Sequence, residues 1–381
     1  QDAIFEMGFI KMTYNFIGAA ITLVAGVALI FSAYSYTVSP EKFNYTTYLS
    51  LTFPIFLAIN TILLLFWFIQ WHKIGIITLL AMTISSGSIF LYSPVHIIPT
   101  KANSNDTLSI LTYNVHYFNQ LIPHNKKSTN PIIEYIKKEN ADIVCIQEYA
   151  YGFNKNFLQN EDIDTALAKV YPYKKLSLKD NGYAAAGVAC LSKYPITSSE
   201  DMFPESNANG ASLYKVSIGD RELTLLVSHL ESNKLSNGDR GFFNYLTSHI
   251  EETDTLIQEV KKRLTWKLAA AAKLRANQAD IIASRIKELG ESIIVCGDFN
   301  DTPQSYVYHT IRGELGDAYA KTGLGPGITY HADRFYFRID HILYGKNLRP
   351  IYTKIGSIKD SDHYPVKALF QWEKPVTSLA P

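Results

Sequence analysis

The sequence predicts an α/β sandwich of two sheets covered by helices, preceded by three transmembrane helices. Two observations lead to this prediction. Only six Asp, Glu, Lys or Arg residues occur in residues 1–100, whereas the remaining 65 occur in residues 101–381. Beyond residue 100, short buried-strand patterns are interspersed with helical patterns. We therefore expect a membrane anchor over 1–100 and a folded domain over 101–381. The net charge of +1 indicates neither a basic field for nucleic acid nor an acidic one for cations.

Three uncharged stretches near the N-terminus each exceed the roughly 20 residues needed to cross a bilayer. They predict spans at about 14–36, 47–70 and 74–94. Three buried core helices are the alternative, but three successive spans with almost no charged face favour the membrane. Lys11 and Lys73 share one side of the membrane. By the positive-inside rule that side is cytoplasmic, and the large domain is extracytoplasmic. We expect an integral protein of a bacterial inner membrane.

The folded domain begins with a strand over 108–115, within which Asn114 is the polar residue near the end. A helix over 131–139 follows, and then a buried strand over 142–148 that ends at Glu148. The next elements are strands over 186–191 and 222–227, a buried strand from Ile293 to Gly297, a helix near 306–315, and a strand pair at 329–330 and 335–343. The three cysteines, Cys145, Cys190 and Cys296, each lie in an apolar run and are expected to be core thiols rather than disulfide or zinc ligands.

The segment at about 242–289 has apolar residues at close to helical period, which predicts two helices or one long bent helix. It also carries a basic cluster, consisting of Lys261, Lys262, Arg263, Lys267, Lys273 and Arg275. Such a cluster either forms a solvated helix face or contacts lipid headgroups or a polyanion. In the lipid interpretation, Trp266 and its neighbouring lysines lie against the headgroup layer; in the other, the segment only packs on the sandwich.

Oxygen- and nitrogen-bearing side chains recur where the predicted strands end. Asp298 and Asn300 stand two residues apart after the strand from Ile293, a spacing that points both side chains the same way in an extended chain. An Asx turn would explain that pair alone. The pattern extends, however, to eight residues: Asn114, Glu148, His229, Asp298, Asn300, Asp340, Asp362 and His363. Their joint recurrence predicts an active site.

Six short motifs occur in order along the chain: Thr-Tyr-Asn-Val, Gln-Glu, Ser-His-Leu, Gly-Asp-Phe-Asn, Arg-Ile-Asp and Ser-Asp-His-Tyr-Pro-Val. In this order they resemble the endonuclease/exonuclease/phosphatase superfamily, which includes deoxyribonucleases and neutral sphingomyelinases. The resemblance covers roughly residues 108–371. It implies a four-layered α/β sandwich and Mg²⁺-dependent hydrolysis of a phosphate ester. The segment at about 242–289 has no assigned counterpart in the small nucleases.

The resemblance, together with the chemistry of the side chains, implies that three residues bind the metal. Glu148 is expected to be the main carboxylate ligand of Mg²⁺, with Mn²⁺ as an alternative. Asn114 and Asp362 are expected to be its neighbours, directly or through water.

The other five residues are expected to act on the substrate. Asp298 and His363 are candidates for activating the attacking water, and Asp340 is expected to orient His363. His229 and Asn300 are expected to hydrogen-bond the phosphoryl oxygens. Family members differ over which residue is the base, so that choice remains open.

Three functional hypotheses follow. The first is a membrane-anchored phosphodiesterase or phosphatase acting on a lipid headgroup, with sphingomyelinase- or phospholipase-like chemistry. The second is an endonuclease or exonuclease that is merely tethered. The third is a non-catalytic binding module, which is disfavoured because each motif retains its chemically competent residue. A short linker to the membrane favours the lipid substrate over nucleic acid.

Overall fold

The computed structural model describes residues 2–98, 100–102, 106–119, 129–152, 158–180, 184–202, 209–233, 255–332 and 335–373. Its helices are α1 Asp2–Ala33, α2 Tyr45–Ile69, α3 Gly75–Ile84, α4 Ser86–Tyr92, α5 Pro131–Glu139, α6 Asn160–Leu167, α7 Thr255–Lys287, α8 Tyr306–Arg312 and α9 Ala318–Thr322. A 3₁₀ turn at Ser35–Thr37 follows α1.

The strands form two six-stranded sheets. The first sheet has the order β11-β12-β1-β2-β4-β3, with β1 Thr107–Asn114, β2 Ile143–Gly152, β3 Tyr173–Asp180, β4 Ala184–Ser192, β11 Leu348–Ile355 and β12 Val366–Trp372. The second has the order β5-β6-β7-β8-β10-β9, with β5 Ile196–Asp201, β6 Gly210–Ile218, β7 Arg221–His229, β8 Ile293–Asp298, β9 Gly316–Asp317 and β10 Asp340–Tyr344. The only parallel pairs among these strands are β1 with β2 and β7 with β8.

Each central strand buries both of its faces. On β2, Cys145 packs in the core between the two sheets, whereas Val144 packs against the helices outside. On β8, Cys296 faces the core between the sheets and Val295 packs beneath α7 and α8. This two-sided burial explains why these strands are continuous apolar runs. The layers are helix, sheet, sheet and helix, so the predicted four-layered α/β sandwich is confirmed. The cysteines are free and buried, as predicted.

The first four helices, α1–α4, pack together and are called the bundle below. Residues Ile10–Ala33 and Tyr45–Ile69 are long and apolar enough to cross a membrane. Many of their apolar side chains remain exposed on the outside, including Phe16, Val24, Phe31, Ile62 and Phe68. Such a surface suits a lipid environment.

The third predicted span is not one straight helix. It consists of α3 and α4, which are bent by 69° at a break. The break falls at Ser85, within the run Ser85-Ser86-Gly87-Ser88. Ser and Gly are poor helix formers and are typical of kinks, which explains the bend.

The predicted helical segment at about 242–289 is α7 where the structure describes it, and residues 242–254 lie outside the described residues. One cationic residue of the predicted basic cluster is not on a solvated face. Arg275 is buried. Its Nε lies 3.5 Å from Asp301 Oδ2, and its Nη1 donates to Glu231 O and Asn233 Oδ1. Lys262, Trp266 and Lys273 are exposed.

Candidate active site

The site is built at the ends of the central strands, and Asp298 at the end of β8 lies at its centre. Gly297 allows β8 to end there, because its φ is +134° and a Cβ would lie 2.0 Å from Ser228 O of the parallel neighbour β7. Only glycine fits such a close approach. The register pairs His229 with Asp298 on one side and Asp340 with Asp298 on the other. Three predicted residues therefore meet by strand pairing alone.

Asn300 turns back onto Asp298. It has a φ of +52°, a left-handed conformation that Asn tolerates better than most residues. Its backbone N–H donates to Asp298 Oδ1 at 2.7 Å, and its Nδ2 donates to Leu230 O at 2.9 Å. The pair therefore forms the Asx turn that was the alternative interpretation, and the turn lies beside the other predicted site residues.

His363 and Asp340 form the tightest pair of the site. His363 Nδ1 lies 2.8 Å from Asp340 Oδ2, and His363 Nε2 lies 3.7 Å from Asp298 Oδ2. Thr329 Oγ1 accepts the backbone N–H of Asp340 and fixes the start of β10. The ring of Tyr330 packs edge-on against His363. The Nδ1 contact leaves Nε2 as the nitrogen of His363 that faces the rest of the site.

Glu148 reaches the site through a break in β2. The pairing of β2 with β4 shifts between Ile146 and Tyr149, and Glu148 has a φ of +52°. Its neighbour Gln147 instead turns inward and bonds Thr112 Oγ1. Because the bulge interrupts the two-residue alternation, it aims Glu148 towards the strand ends.

Asn114 and His229 link Glu148 to Asp298. Asn114 Nδ2 donates to Glu148 Oε1 at 3.2 Å and to Asp298 Oδ2 at 3.1 Å. His229 Nε2 lies 3.6 Å from Glu148 Oε1 and 3.8 Å from Asp298 Oδ2. His229 Nδ1 has no hydrogen-bond partner in the described part of the chain. Both side chains therefore bridge the carboxylates of the two sheets.

Asp362 lies at the margin of this network. Its Oδ1 is 3.9 Å from His116 Nδ1. His116 opens a turn through Asn119 in which four successive residues have positive φ, from +45° to +56°. Within that turn, burial and, to a lesser extent, the Glu148 and Asp362 carboxylates together raise the pKa of Tyr117 to about 12. Glu148 and Asp362 therefore flank the same tyrosine.

The buried carboxylates and imidazole shift each other's protonation. Burial raises the pKa of Asp298 to about 6, although the His363 and His229 charges lower it. Burial alone would lower the pKa of His363, but Asp340 and Asp298 outweigh it and raise that pKa to about 10. The neighbouring carboxylates therefore favour the charged form of His363.

The side chains that could bind a metal differ in their access to solvent. Asp298, Asp340 and His363 can bring one ligand atom each within 4.8 Å of one another, but their side chains are only 1%, 1% and 5% exposed. Glu148 and Asp362 are 19% and 21% exposed. Mg²⁺ usually retains several of its waters, so it needs such open carboxylates. The residues present fit a hard divalent cation, because the donor set is rich in carboxylate oxygen and contains no thiolate.

Sequence reasoning missed several supporting residues. Ser361 Oγ donates to Asn114 O at 2.7 Å and so ties the loop of Asp362 and His363 to the end of β1. Thr329 Oγ1 accepts the backbone N–H of Asp340, and the backbone oxygen of Leu230 accepts from Asn300 Nδ2. Ser361 was detectable, because it lies inside a motif already singled out. A backbone carbonyl carries no sequence signal.

The four-layered sandwich with carboxylates, amides and imidazoles at its strand ends has the architecture of a metal-dependent phosphoesterase or nuclease fold. A family model described as Endonuclease/Exonuclease/phosphatase family matches residues 111–363, and the chain belongs to this family. Its members are typically metal-dependent phosphoric ester hydrolases. Residues 14–92 match a domain of unknown function. No curated protein sequence matches significantly.

Solved structures resemble the folded part of the chain. An endonuclease/exonuclease/phosphatase from Beutenbergia cavernae has 14% identity and a TM-score of 0.48, covering 70% of this chain and 72% of its own. One from Bacteroides vulgatus has 20% identity and a TM-score of 0.46, covering 70% and 99%. The human Nocturnin catalytic domain with bound sulfate has 16% identity and a TM-score of 0.46, covering 71% and 97%.

Proposed function

We propose that this protein is a membrane-anchored, Mg²⁺-dependent phosphoesterase that hydrolyses a lipid phosphodiester or phosphomonoester. The observation that carries the proposal is the direct linkage of Glu148 and Asp298 by Asn114 and His229. A carboxylate for a metal thereby lies beside a buried acid–imidazole centre. Phosphoryl transfer needs this combination of charge neutralisation and a positioned water.

Glu148 would hold the metal, with Asp362 and Asn114 beside it. The partial exposure of Glu148 and Asp362 leaves room for the waters and the phosphate that Mg²⁺ retains. Bound Mg²⁺ supplies charge neutralisation at the phosphate oxygens. Asn114 turns its Nδ2 towards the Glu148 and Asp298 carboxylates, so in this rotamer it orients Glu148 rather than offering its own oxygen.

The remaining five residues would handle the water and the phosphoryl group. Of the two candidates for activating the water, Asp298 would accept its proton. His363, whose charged form is favoured, would orient the water from Nε2, 3.7 Å from Asp298 Oδ2. Asp340 holds His363 by Nδ1 and so fixes which nitrogen faces the substrate. His229 would supply an N–H donor for an oxygen that gains charge in the transition state. Asn300 Nδ2 donates to Leu230 O and Asp298 Oδ2 in this rotamer, so it would have to turn to do the same.

A lipid substrate is favoured by the way the domain sits on the bundle. Tyr48, at the start of α2, donates to Thr265 O of α7, and the next residue of α7 is Trp266, which is 70% exposed. Ile97 and Ile98, which follow α4, are 76% and 86% exposed. Exposed aromatic and apolar residues beside a membrane helix suit the headgroup layer. This arrangement would hold the site close to lipid headgroups.

We also propose that the domain lies outside the cytoplasm, from the shared side of Lys11 and Lys73. Protease added to intact spheroplasts should digest the chain beyond Lys101. Digestion that occurs only after lysis would reverse the orientation.

The deciding experiment compares substrates. Full-length protein in detergent is assayed with Mg²⁺ on sphingomyelin and phosphatidylcholine vesicles and on plasmid DNA, alongside His363→Ala. A matched control is His72→Ala, in the turn between α2 and α3. We expect headgroup or phosphate release that is lost in His363→Ala and in chelator but not in His72→Ala. DNA cleavage lost in His363→Ala, with no lipid product, would establish a tethered nuclease instead. No turnover on either substrate would favour a binding module.

A further inference from the structure

The second sheet is attached to the bundle at the two strand ends that carry catalytic groups. One attachment follows β8, where Gln304 lies four residues beyond Asn300. The other precedes β10, where Arg338 lies two residues before Asp340. β8 and β10 are adjacent, and the backbone N–H of Phe299 donates to Ile339 O at 2.9 Å. The two attachments therefore flank a single catalytic edge.

Gln304 contacts α4 and the 3₁₀ turn that follows α1. Its Nε2 donates to Ser88 O of α4 at 3.2 Å, and its backbone oxygen accepts from Ser35 Oγ at 3.3 Å. The side chain is 1% exposed, and its Oε1 has no hydrogen-bond partner within the described residues. The turn from Asn300 to Gln304 also contains Asp301, whose backbone oxygen contacts His341 Nε2 at 3.1 Å. This turn is consequently a short, fixed connection from the site to α4.

Arg338 makes the second contact with α4. Its guanidinium donates to Leu91 O, in the last turn of that helix, where carbonyls lack helical partners. It also lies 4.8 Å from the centre of the Tyr319 ring. Arg338 is 3% exposed, and no carboxylate pairs with it within the described part of the chain. Its Nε and Nη1 likewise have no hydrogen-bond partner among the described residues.

A buried guanidinium without a carboxylate is unfavourable for folding. Desolvating a charge costs free energy that one carbonyl and one aromatic ring offset only in part. An apolar side chain of similar volume would pack at this position at a lower cost. The presence of arginine therefore calls for a role other than packing, and its contacts join α4 to the start of β10.

We propose that Arg338 and Gln304 are positioning residues, through which α4 of the bundle holds Asp340 and Asn300 in their catalytic geometry. This inference rests on the proposed function, because it concerns the activity of the same site. Since α4 is the bent half of the third apolar segment, the site depends on a helix of the membrane module. A displacement of about 1 Å at reacting groups can cost roughly 100-fold in rate. Loss of one attachment should reduce kcat without affecting substrate binding.

The test uses the full-length protein in detergent micelles with Mg²⁺ and the soluble diester bis(p-nitrophenyl) phosphate. Arg338→Met should lower kcat about tenfold or more, with KM within about twofold, because the soluble probe does not depend on lipid access. Arg338→Lys should recover part of the loss, since lysine can still donate to Leu91 O. Gln304→Met is a second variant with a smaller change. Arg349→Met, on β11 of the first sheet, is the matched control and should be unchanged.

A purely structural role would lower the thermal unfolding midpoint in step with activity. We expect instead that Arg338→Met leaves the midpoint within a few degrees or raises it, because a poorly paired buried charge is removed. Loss of midpoint and activity together, without recovery in Arg338→Lys, would overturn the proposal. Unchanged kcat in both Arg338→Met and Gln304→Met would overturn it as well.

Hydrogen exchange tests the attachment without any activity. In Arg338→Met, amide exchange should rise in the segments 299–305 and 339–343 and remain unchanged in β1 and β2. Unchanged exchange in the first two segments would refute the coupling even if activity fell. If the wild-type protein hydrolyses neither the diester nor any lipid or DNA, the proposed function fails, and the exchange result alone decides whether α4 holds the strand ends.

Discussion

The first sheet presents its site carboxylates to solvent, with Glu148 19% and Asp362 21% exposed, whereas the second sheet buries Asp298 and Asp340 to 1% side-chain exposure. The two sheets also differ in their attachments. The second sheet contacts the bundle through the turn after β8 and the residue before β10. The open half is thus suited to binding charged groups from solvent, and the buried half to controlling protons at fixed geometry.

This difference indicates how one site can meet two opposed requirements. A hydrated cation and a phosphate need access, while a general base needs a protected environment that raises its pKa. Asn114 and His229 connect the two halves, because each contacts both Glu148 and Asp298. The following three predictions test the division, beginning with the largest effect.

Glu148→Gln should abolish most activity while the fold survives. The substitution retains the shape of the side chain but removes the charge that would hold the metal, which contributes several kcal/mol or about 10³-fold in rate. The measurement is turnover with Mg²⁺ on the preferred substrate, together with the thermal unfolding midpoint. Glu134→Gln, on the surface of α5 beside Lys137, is the control and should be active. Near-normal turnover in Glu148→Gln would show that the metal assignment is wrong.

Arg275→Met should destabilise the second half of the site. Asp301 is 4% exposed, and its Oδ2 lies 3.5 Å from Arg275 Nε, so the variant leaves a buried carboxylate without its cation. Breaking such a pair costs about 3 kcal/mol in free energy of unfolding. Denaturant unfolding in detergent measures it.

The matched control for Arg275→Met lies on the first sheet. Lys367→Met breaks a pair in which Lys367 and Glu139 are each 16% exposed, and solvent should limit the loss to about 1 kcal/mol. The double variant Arg275→Met, Asp301→Asn should regain stability relative to Arg275→Met. Equal losses in the two single variants would contradict the contrast between the halves.

His309 predicts a modest pH dependence where the second sheet meets the bundle. The ring of His309 stacks on that of Tyr36, with the ring centres 3.6 Å apart. Burial and, to a lesser extent, the nearby Arg312 charge lower the pKa of His309 to about 4. Between the ordinary His pKa of about 6.5 and pH 4, the unfolded chain binds the proton more readily than the folded one. Stability should therefore fall as pH decreases through that window. His309→Phe retains the stacked ring and should remove this component, as thermal unfolding at several pH values would reveal. An unchanged pH profile in that variant would exclude His309 as its source.

The central elements were predictable because their sequences are extreme. The helix over 131–139 was predicted with the observed bounds, and β8 was recognised from four consecutive apolar residues. Six strands were missed: β3, β5, β6, β9, β11 and β12. Four of them, β3, β5, β9 and β11, are edge strands, and edge strands carry polar residues that hide the alternation, as the Lys, Ser, Glu and Asp of β3 and β5 do. The strands β6 and β12 lie inside the sheets, and a lysine interrupts the apolar run of each.

The site was predictable in its membership and much less so in its geometry. Seven of the eight predicted residues lie at or beside strand ends. The prediction that β2 ends at Glu148 was wrong, because the strand continues to Gly152 and Glu148 reaches the site through a bulge. The motifs also do not indicate that Asn114 bridges two carboxylates or that Asp362 stands at the margin. Their roles in metal binding and catalysis remain predictions. Attachments such as that of Arg338 to Leu91 O join residues 247 positions apart through a backbone atom. Residue types along the chain carry no record of such a contact.

Glu148 has a φ of +52°, a conformation that costs a residue with a Cβ roughly 1 kcal/mol and costs glycine almost nothing. Glycine at this position would relieve that backbone strain, but it would remove the carboxylate and its contact with Asn114. A homologue with glycine at this position and the rest of the sandwich intact would be recognisable as a relative that retained the fold and abandoned metal-dependent chemistry.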